Sequence, residues 1–266
     1  DTLDDAARAQ LRDRAARLAS RPLVSVLMPV HDPEPAWLDE AIHSVRAQLY
    51  DHWELCIADD ASGDRRVRNI LAKHAAEDPV RIRIAWRSRN GHISAASNSA
   101  LDIARGDYIA LLDHDDRLPE HALLCVAETL ARFPEAEVLY SDEDKLDANG
   151  QRCEPYFKCD WNLELFRSQN LVSHLGVYRT RLVRAVGGFR AGFEGSQDYD
   201  LALRCIEGLA PERIVHIPHV LYHWRMHARS TAAGGAAKPY AHVAGQAALQ
   251  AHFARCGIDC EVASEP

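Results

Sequence analysis

Between residues 23 and 140, short apolar runs alternate with longer segments whose apolar residues recur every three or four positions. The short runs predict buried strands, and the periodic segments predict amphipathic helices. The predicted strands are Leu23–Met28, Trp53–Ala58, Arg81–Trp86, Tyr108–Leu112 and Val138–Tyr140, and the helices between them are Trp37–Gln48, Arg66–Ala76, Ile93–Ala104 and Pro119–Phe133. This alternation predicts an α/β fold with a mostly parallel, doubly wound sheet and helices on both faces.

The pattern divides the chain into an amphipathic N-terminal helix, the alternating half, a second half, and a C-terminal helix with its tail. These parts are residues 1–21, 22–147, 148–238 and 239–266, and we expect residues 22–238 to form one domain. The alternation ends at the acidic stretch Ser141–Asp147. Beyond it the pattern predicts helices at Tyr199–Glu207 and Pro239–Arg255 and a strand at Val220–Trp224. The abrupt start and the SEP ending favour a segment of a longer protein.

Composition narrows the class of protein. The 266 residues are 47% hydrophobic and 26% charged, with a net charge of −8, which is ordinary for a globular domain and argues against a nucleic-acid-binding surface. No apolar run approaches the roughly 18–20 residues that span a bilayer. The seven cysteines form no Cys-x-x-Cys pair and are not arranged with histidines as a zinc site, so free thiols in the cytoplasm are expected.

Acidic residues follow the predicted strands. Asp59 and Asp60 come after the second strand, and Asp113, Asp115 and Asp116 come after the fourth. Such residues are also common in turns and helix caps. However, carboxylates this close repel one another, and a hard divalent cation removes that cost. Because ligands of parallel sheets bind at the carboxyl ends of the strands, a metal site is predicted there.

The negative charge is concentrated in one segment. Residues 107–147 contain twelve acidic and three basic residues, so the rest of the chain is nearly neutral. We expect this acidic segment to form the metal site and its approach. A divalent ion bound between the acidic side chains and an anionic ligand would then offset the repulsion between them.

Across residues 22–230, several motifs occur in an order that resembles family-2 glycosyltransferases of the GT-A fold. The motifs are VSVLMP at 24–29, DDAS at 59–62, RNG at 89–91 followed by Asn98, GDY at 106–108, DHDD at 113–116, GGF at 187–189, GSQDYDL at 195–201 and YHWRMH at 222–227. Within the family, stretches such as RNGHISAASNSAL, YSDEDK, NLVSHLGVYR and EGSQDYDLALR are most similar to bacterial transferases that build surface polysaccharide such as O-antigen.

The resemblance implies a nucleoside-diphosphate-sugar site in the first half. The residues implied to bind the donor are Pro29, His31, Asp60, Arg89, Asn90, Asn98, Asp113, His114 and Arg225. Of these, Asp60 would accept from the N3–H of the base, which suits uracil or thymine. Asp115 would bind Mn²⁺ or Mg²⁺. The third acid, Asp116, leaves the ligand assignment ambiguous, and Asp113 is a weaker candidate ligand.

The second half is implied to supply the catalytic base and the rest of the metal site. Asp198 occupies the position of the family's base, although Gln197 replaces the usual first acid of the pair; the alternative is that Asp198 merely caps a helix. His227 fits the spacing of a metal ligand best, with His223 second. Arg229 and the glycines at 234–235 suggest a segment that closes over the donor.

The aromatic residues between 153 and 175 leave two interpretations open. They either cover the sheet edge as a loop with short helices, or form an acceptor-side wall, because aromatic faces suit sugar rings. The residues concerned are Tyr156, Phe157, Trp161, Phe166 and His174.

The resulting hypothesis is an inverting, metal-dependent glycosyltransferase. It would move a sugar from a nucleoside-diphosphate donor, UDP or dTDP being favoured, to a saccharide or lipid-linked saccharide at the cytoplasmic face of the membrane. One alternative is a catalytically silent glycan-binding or scaffold domain of a larger glycosyltransferase, which the presence of Asp115 and Asp198 disfavours. Another is a sugar-phosphate nucleotidyltransferase, but the loop at 29–37 has neither glycine nor Lys or Arg.

Overall fold

The computed structural model describes residues 3–227 and 239–263, which fold around one mixed sheet of eight strands. The strands are β1 (Val24–Val30), β2 (Trp53–Asp59), β3 (Ile82–Trp86), β4 (Tyr108–Leu111), β5 (Val138–Leu146), β6 (Arg152–Tyr156), β7 (Gly176–Arg179) and β8 (Ile214–Arg225). The order is β3-β2-β1-β4-β7-β5-β6, and β8 pairs with β5. The first four strands are parallel, as predicted, and so is the β5–β8 pair, whereas β6 and β7 pair antiparallel with their neighbours.

Helices cover both faces of the sheet, as predicted. They are α1 (Asp5–Ala16), α2 (Pro35–Arg46), α3 (Arg65–Glu77), α4 (His92–Asp102), α5 (Ala122–Arg132), α6 (Leu163–Ser168), α7 (Thr180–Ala185), α8 (Gln197–Ile206) and α9 (Pro239–Arg255). Buried side chains of α1, α2, α3 and α5 form one core with one face of the sheet. Those of α4, α8 and α9 form a second core with the other face. The strands β1, β2 and β4 are therefore buried on both faces, whereas β3 lies at the sheet edge and is only partly buried.

Helix α1 docks on the body of the domain. Asp4 begins the helix by accepting a hydrogen bond from the Ala7 amide. Arg8 then forms a two-armed ion pair with Glu120, and Arg14 forms another with Glu128 of α5. These ion pairs hold α1 against the body of the domain.

Most of the acidic stretch Ser141–Asp147, which the sequence pattern placed after the last strand of the alternating half, is itself part of a strand. It belongs to β5, which runs to Leu146 instead of ending at Tyr140, and Asp142, Glu143 and Asp144 are buried. A buried carboxylate requires partners. Asp142 accepts from His216, Glu143 from Lys158, and Asp144 from Arg152 and His223. The expected acidic approach to a metal site is therefore wrong for this part of the segment, because these charges are compensated inside the fold.

The two halves of the chain share the sheet. Strand β7, from the second half, lies between β4 and β5 of the first half and pairs antiparallel with both. Sequence periodicity did not predict β6 or β7, since both are short and form only through distant partners. The seven cysteines all lie in the described ranges and are unpaired there, in agreement with the prediction of free thiols.

Beside the sheet, Asp200 and Arg204 form a buried ion pair on α8. The Arg204 Nε and one terminal nitrogen donate to Asp200 Oδ2 at 2.9 and 2.7 Å, and the guanidinium also donates to the carbonyls of Val186 and Gly188. Arg190 pairs with the same carboxylate. The pair therefore ties α8 to the loop that precedes it.

We expect Arg204→Met to lower the free energy of unfolding by about 3 kcal/mol, because a buried carboxylate loses a partner and two carbonyls lose their donor. Urea denaturation measures the loss. Arg17→Met, which breaks the exposed pair with Asp13, is the matched control and should cost no more than about 0.5 kcal/mol. Equal losses in the two variants would contradict this account.

Candidate active site

One large cleft opens at the carboxyl ends of the parallel strands, with a volume of about 1690 Å³. Strand ends of parallel sheets converge on one edge, so side chains that follow different strands meet there. Nine of the thirteen residues predicted for the site line this cleft: Pro29, His31, Asp60, Asn90, Asp113, His114, Asp115, Asp198 and His227. The structure thus brings together side chains that lie up to 198 positions apart in the sequence.

At one end of the cleft, the turns after β1 and β2 are fixed by hydrogen bonds. The Asn90 side-chain amide donates to His31 Nε2 at 2.8 Å. The Nδ1 atom of His114 lies 3.1 Å from the carbonyl oxygen of Pro29. Asp60 is buried and accepts from Arg87 Nε at 2.6 Å and from the Gly91 amide at 3.0 Å. A carboxylate has about four acceptor positions, so Asp60 keeps capacity for a further donor.

Four of the predicted residues do not line the cleft: Arg89, Asn98, His223 and Arg225. Arg89 is exposed on the surface. Asn98 is bound by the backbone of Phe189, donating to its carbonyl at 2.7 Å and accepting from its amide at 2.8 Å. Gly188 has φ +68° next to this contact, and a Cβ there would lie 2.5 Å from Asn98 Oδ1. The structure thus shows Asn98 and the GGF motif joining α4 to the loop before α8.

Arg225 lies behind the acidic turn instead of facing the cleft. Its backbone amide donates to Asp116, its Nε donates to the Asp115 carbonyl at 2.7 Å, and a terminal nitrogen donates to Glu40 at 2.6 Å. Its guanidinium also lies 5.4 Å from the centre of the Trp37 ring. Arg225 therefore fixes the main chain of the acidic turn.

The two histidines proposed as metal ligands have different surroundings. His223 is buried and lies 2.5 Å from Asp144, outside the cleft. His227 lines the cleft, and its Nε2 lies 2.7 Å from Asp115 Oδ2. Its ring also packs against Trp37, with 4.8 Å between ring centres. Of the two, His227 is the one that the fold places beside Asp115.

The acidic turn after β4 is held by the hydroxyl of Tyr222. This buried hydroxyl accepts from the Asp113 amide at 3.2 Å and donates to Asp116 Oδ2 at 2.6 Å. Burial, and then the charges of Asp115 and Asp113, raise the pKa of Asp116 well above its ordinary value. Burial also raises the pKa of Asp113. For Asp115, burial acts in the same direction and is the largest single effect. The hydrogen bond with His227, the charges of His114 and His227 and a backbone hydrogen bond together exceed it and lower the pKa to about 2.

This donor set fits a divalent cation. Asp115 and His227 present adjacent oxygen and nitrogen atoms to the cleft, and Asp113 lines the cleft with them. Burial is the largest cause of the raised pKa values of Asp113 and Asp116, and the charges of neighbouring acids add to it. Both oxygens of Asp116 already accept hydrogen bonds, from Tyr222 and Arg225, so Asp116 supports the turn. Among the acids of the turn, Asp115 is thus the best placed to bind a metal, with Asp113 beside it.

His174 is a residue of this region that the sequence did not identify as part of the metal site. A ring nitrogen of His174 and carboxylate oxygens of Asp113 and Asp116 all lie within 4.8 Å of one another. Its ring stacks on Tyr222 with 4.2 Å between ring centres. No spacing signal pointed to it, because the segment before β7 reaches the acidic turn only through the sheet.

The expected aromatic wall is largely absent from the cleft. Phe166 is buried in the core, Trp161 packs on it, and neither Tyr156 nor Phe157 lines the cleft. Of the five aromatic residues predicted, only His174 does so. Polar residues 167–170 and the α9 residues Tyr240 and Phe253 line that side instead.

Asp198 lies in the first turn of α8 and faces the cleft. The N-cap position of α8 is Ser196, and the hydrogen bond that Asp198 accepts comes from the side-chain amide of Asn170 at 2.7 Å. The interpretation of Asp198 as a helix cap is thus disfavoured. Its charge also acts on Asp113, which places the two carboxylates in one electrostatic environment.

The comparison with known proteins decides the family. The sequence profile of glycosyl transferase family 2 matches residues 25–185. The chain belongs to this family. It is 53% identical over 246 residues to y4gI, an uncharacterised protein of Sinorhizobium fredii, covering 92% of this chain and 27% of the relative. It is 42% identical to the O-antigen biosynthesis protein RfbC of Myxococcus xanthus, covering 95% and 20%. The chain thus spans about a quarter of these relatives or less.

Solved structures agree with this family-2 assignment at the level of the fold. The S. aureus protein TarS, residues 1–349 in complex with UDP, has a TM-score of 0.64 at 18% identity, covering 87% of this chain and 72% of TarS. The complex of TarS with UDP-GlcNAc has a TM-score of 0.62, covering 77% and 58%. The fold is the GT-A fold of glycosyltransferases, as predicted. Within residues 3–227 and 239–263, no helix has the length and apolarity needed to cross a membrane.

Removing the Tyr222 hydroxyl should weaken metal binding to this family-2 glycosyltransferase. In Tyr222→Phe the acidic turn loses one donor and one acceptor, so we expect Mn²⁺ affinity in the presence of UDP to fall roughly 10-fold. Calorimetric titration measures it. Tyr108→Phe removes another buried hydroxyl, which donates to Ala136 far from the turn, and should leave Mn²⁺ affinity unchanged. A similar loss in both variants would show that the effect is not local.

Proposed function

We propose that this family-2 glycosyltransferase is inverting and metal-dependent. It transfers a sugar from a UDP or dTDP donor to a hydroxyl of a saccharide acceptor during synthesis of a bacterial surface polysaccharide. The observation that supports this most strongly is the shared cleft: Asp60, the Asp115–His227 pair and Asp198 all line it. A nucleotide site, a metal site and a base are thus available to one substrate.

The donor nucleotide is proposed to bind beside β1 and β2. Pro29, His31 and Asn90 form the wall, and Asp60 accepts from the N3–H of a pyrimidine base with the acceptor capacity that Arg87 and Gly91 leave. The complexes of TarS with UDP and UDP-GlcNAc support a uridine nucleotide. The exposed Arg89 and the Phe189-bound Asn98 receive no direct role in this proposal.

The metal is proposed to be Mn²⁺ or Mg²⁺, held by Asp115 and His227 with Asp113 nearby. When bound, such an ion supplies Lewis-acid stabilisation of the negative charge on the departing diphosphate. The chain's own contribution is to fix the ligands: Arg225 holds the Asp115 carbonyl, and Trp37 supports the His227 ring.

Asp198 is proposed to be the general base. Its carboxylate takes the proton from the acceptor hydroxyl, whose oxygen forms a bond to the anomeric carbon on the face opposite the diphosphate. The bond between that carbon and the diphosphate oxygen breaks, and the diphosphate leaves with the bonding electrons. One displacement inverts the anomeric configuration and needs no covalent enzyme intermediate.

The acceptor is proposed to be a saccharide or a lipid-linked saccharide, presented at the inner face of the cytoplasmic membrane. The similarity to an O-antigen biosynthesis protein supports this class of acceptor. The polar residues 167–170 and the α9 side chains form the walls available to it.

A panel of UDP-, dTDP- and GDP-sugars, with and without Mn²⁺, tests the function. We expect release of nucleoside diphosphate from a UDP- or dTDP-sugar, and a large loss of that release when EDTA removes the metal. Chromatography of the nucleotides measures it. Binding of glycans without release of nucleotide from any donor would instead favour a silent glycan-binding domain.

The variant Asp198→Asn tests the base. Because the amide cannot take a proton, we expect the rate to fall about 100-fold or more, while UDP affinity stays within twofold. Asp198 and Asp200 lie on the same helix, but Asp200 is buried in an ion pair, so its loss should lower stability instead. Full activity of Asp198→Asn would remove Asp198 from this role.

A further inference from the structure

Asn170 is the residue that donates to the proposed base, and its orientation is defined at both ends. Its amide nitrogen donates to Asp198 Oδ2 at 2.7 Å, and its amide oxygen accepts from the Ser173 backbone amide at 3.1 Å. Rotating the amide by 180° would place oxygen against a carboxylate and nitrogen against an N–H, so only one orientation satisfies both contacts. One carboxylate oxygen of Asp198 is thus held by Asn170.

The segment of residues 170–175, which carries Asn170, is held in place by a buried lysine. Lys158 has no exposed side-chain surface, and its ammonium donates to the carbonyls of Val172 and His174 at 3.1 and 2.6 Å. It completes its three hydrogen bonds with Glu143 at 3.1 Å. The two carbonyls belong to an irregular segment without a sheet partner, and a buried carbonyl without a donor is costly. The ammonium therefore defines the path of this segment.

Strand β5 anchors both the lysine and the segment that it holds. The Lys158 backbone amide donates to Asp142 at 2.8 Å, the His174 amide donates to Glu143 at 3.2 Å, and the Leu175 amide donates to Ser141 Oγ at 3.1 Å. A continuous set of hydrogen bonds thus runs from β5, through Lys158, to the segment that carries Asn170.

We propose that Asn170 is a positioning residue for the base Asp198, and that Lys158 acts through it by fixing residues 170–175. This inference rests on the proposed function, in which Asp198 takes the proton from the acceptor. The amide holds one carboxylate oxygen and leaves the other free to accept the proton. The proposal assigns a role to Asn170, the first residue of the NLVSH stretch, whose last residue is the His174 that lies beside the acidic turn.

Asn170→Ala and Asn170→Asp test the contact, with UDP-GlcNAc as donor and water or an active saccharide as acceptor. We expect kcat for UDP release to fall about 10- to 100-fold in Asn170→Ala, with the KM for the donor and the affinity for UDP unchanged. The isosteric Asn170→Asp should lose at least as much, because a carboxylate cannot donate and repels Asp198. If Asn170 only filled space, Asn170→Asp would retain wild-type kcat, which would overturn the proposal. Asn149→Ala, in an exposed turn, is the matched control.

The second test asks whether Lys158 acts through Asn170. Lys158→Met removes the three donated hydrogen bonds while keeping an unbranched side chain, and Glu143→Gln in the same chain avoids an unpaired buried carboxylate. We expect this double variant to lower kcat as Asn170→Ala does, and adding Asn170→Ala to it to change kcat less than twofold. Independent, multiplicative losses would overturn the role of Lys158. If the double variant does not fold, the Asn170 pair still decides the main claim.

The behaviour of Asp198→Asn separates this inference from the function on which it rests. If Asp198→Asn retains activity, the proposed base is wrong and Asn170 has nothing to position. If Asp198→Asn is inactive while Asn170→Ala and Asn170→Asp keep wild-type kcat, the base stands and the positioning role alone fails.

Discussion

Three carboxylates within four residues of one turn repel one another, and the site depends on how that repulsion is contained. The groups that hold the turn come from the last four residues of β8 and from His227, two residues beyond the strand. They are the Tyr222 hydroxyl, the backbone amide and guanidinium of Arg225, and the ring of His227. They fix the carboxylates and the main chain of the turn by hydrogen bonds, while burial raises the pKa values of Asp113 and Asp116. Asp113 and Asp115 line the cleft together with His227.

Closely spaced carboxylates also occur in β5, the strand that pairs with β8, but their role there is different. The acids of β5 are all hydrogen-bonded, to Lys158, Arg152 and two histidines, and they hold segments of chain together inside the fold. Acidic sequence near an active site therefore has two physical meanings. Which of them applies depends on whether cations from elsewhere in the chain reach the carboxylates.

The parallel half and its strand-end residues were predictable because local patterns define them: apolar runs give the strands, and polar residues such as Asp60 and Asp115 follow directly. The residues that the second half adds to the cleft were harder to predict from sequence. His174 and Asn170 have no distinctive spacing, and their positions depend on β7 entering the middle of the sheet. The burial of Glu143 was equally hidden, since its partner Lys158 lies fifteen residues away and looks like an ordinary surface lysine in sequence. The motif resemblance predicted roles for Asp198 and His227, which line the cleft and which periodicity alone does not distinguish.

The position of β7 has a consequence for how the protein is made. Strands β1 to β4 are synthesised first. Because β7 lies between β4 and β5, the sheet cannot connect these two strands until residues 176–179 have been synthesised. Strand β8, residues 214–225, is synthesised last. Contacts of such long sequence separation form late in folding. About a hundred residues must therefore be synthesised after the acidic turn before Tyr222 and Arg225 can stabilise it. A nascent or truncated chain that ends before β8 contains every strand-end motif of the first half but lacks the side chains that hold the acidic turn. The cleft is therefore completed only when the fold is complete.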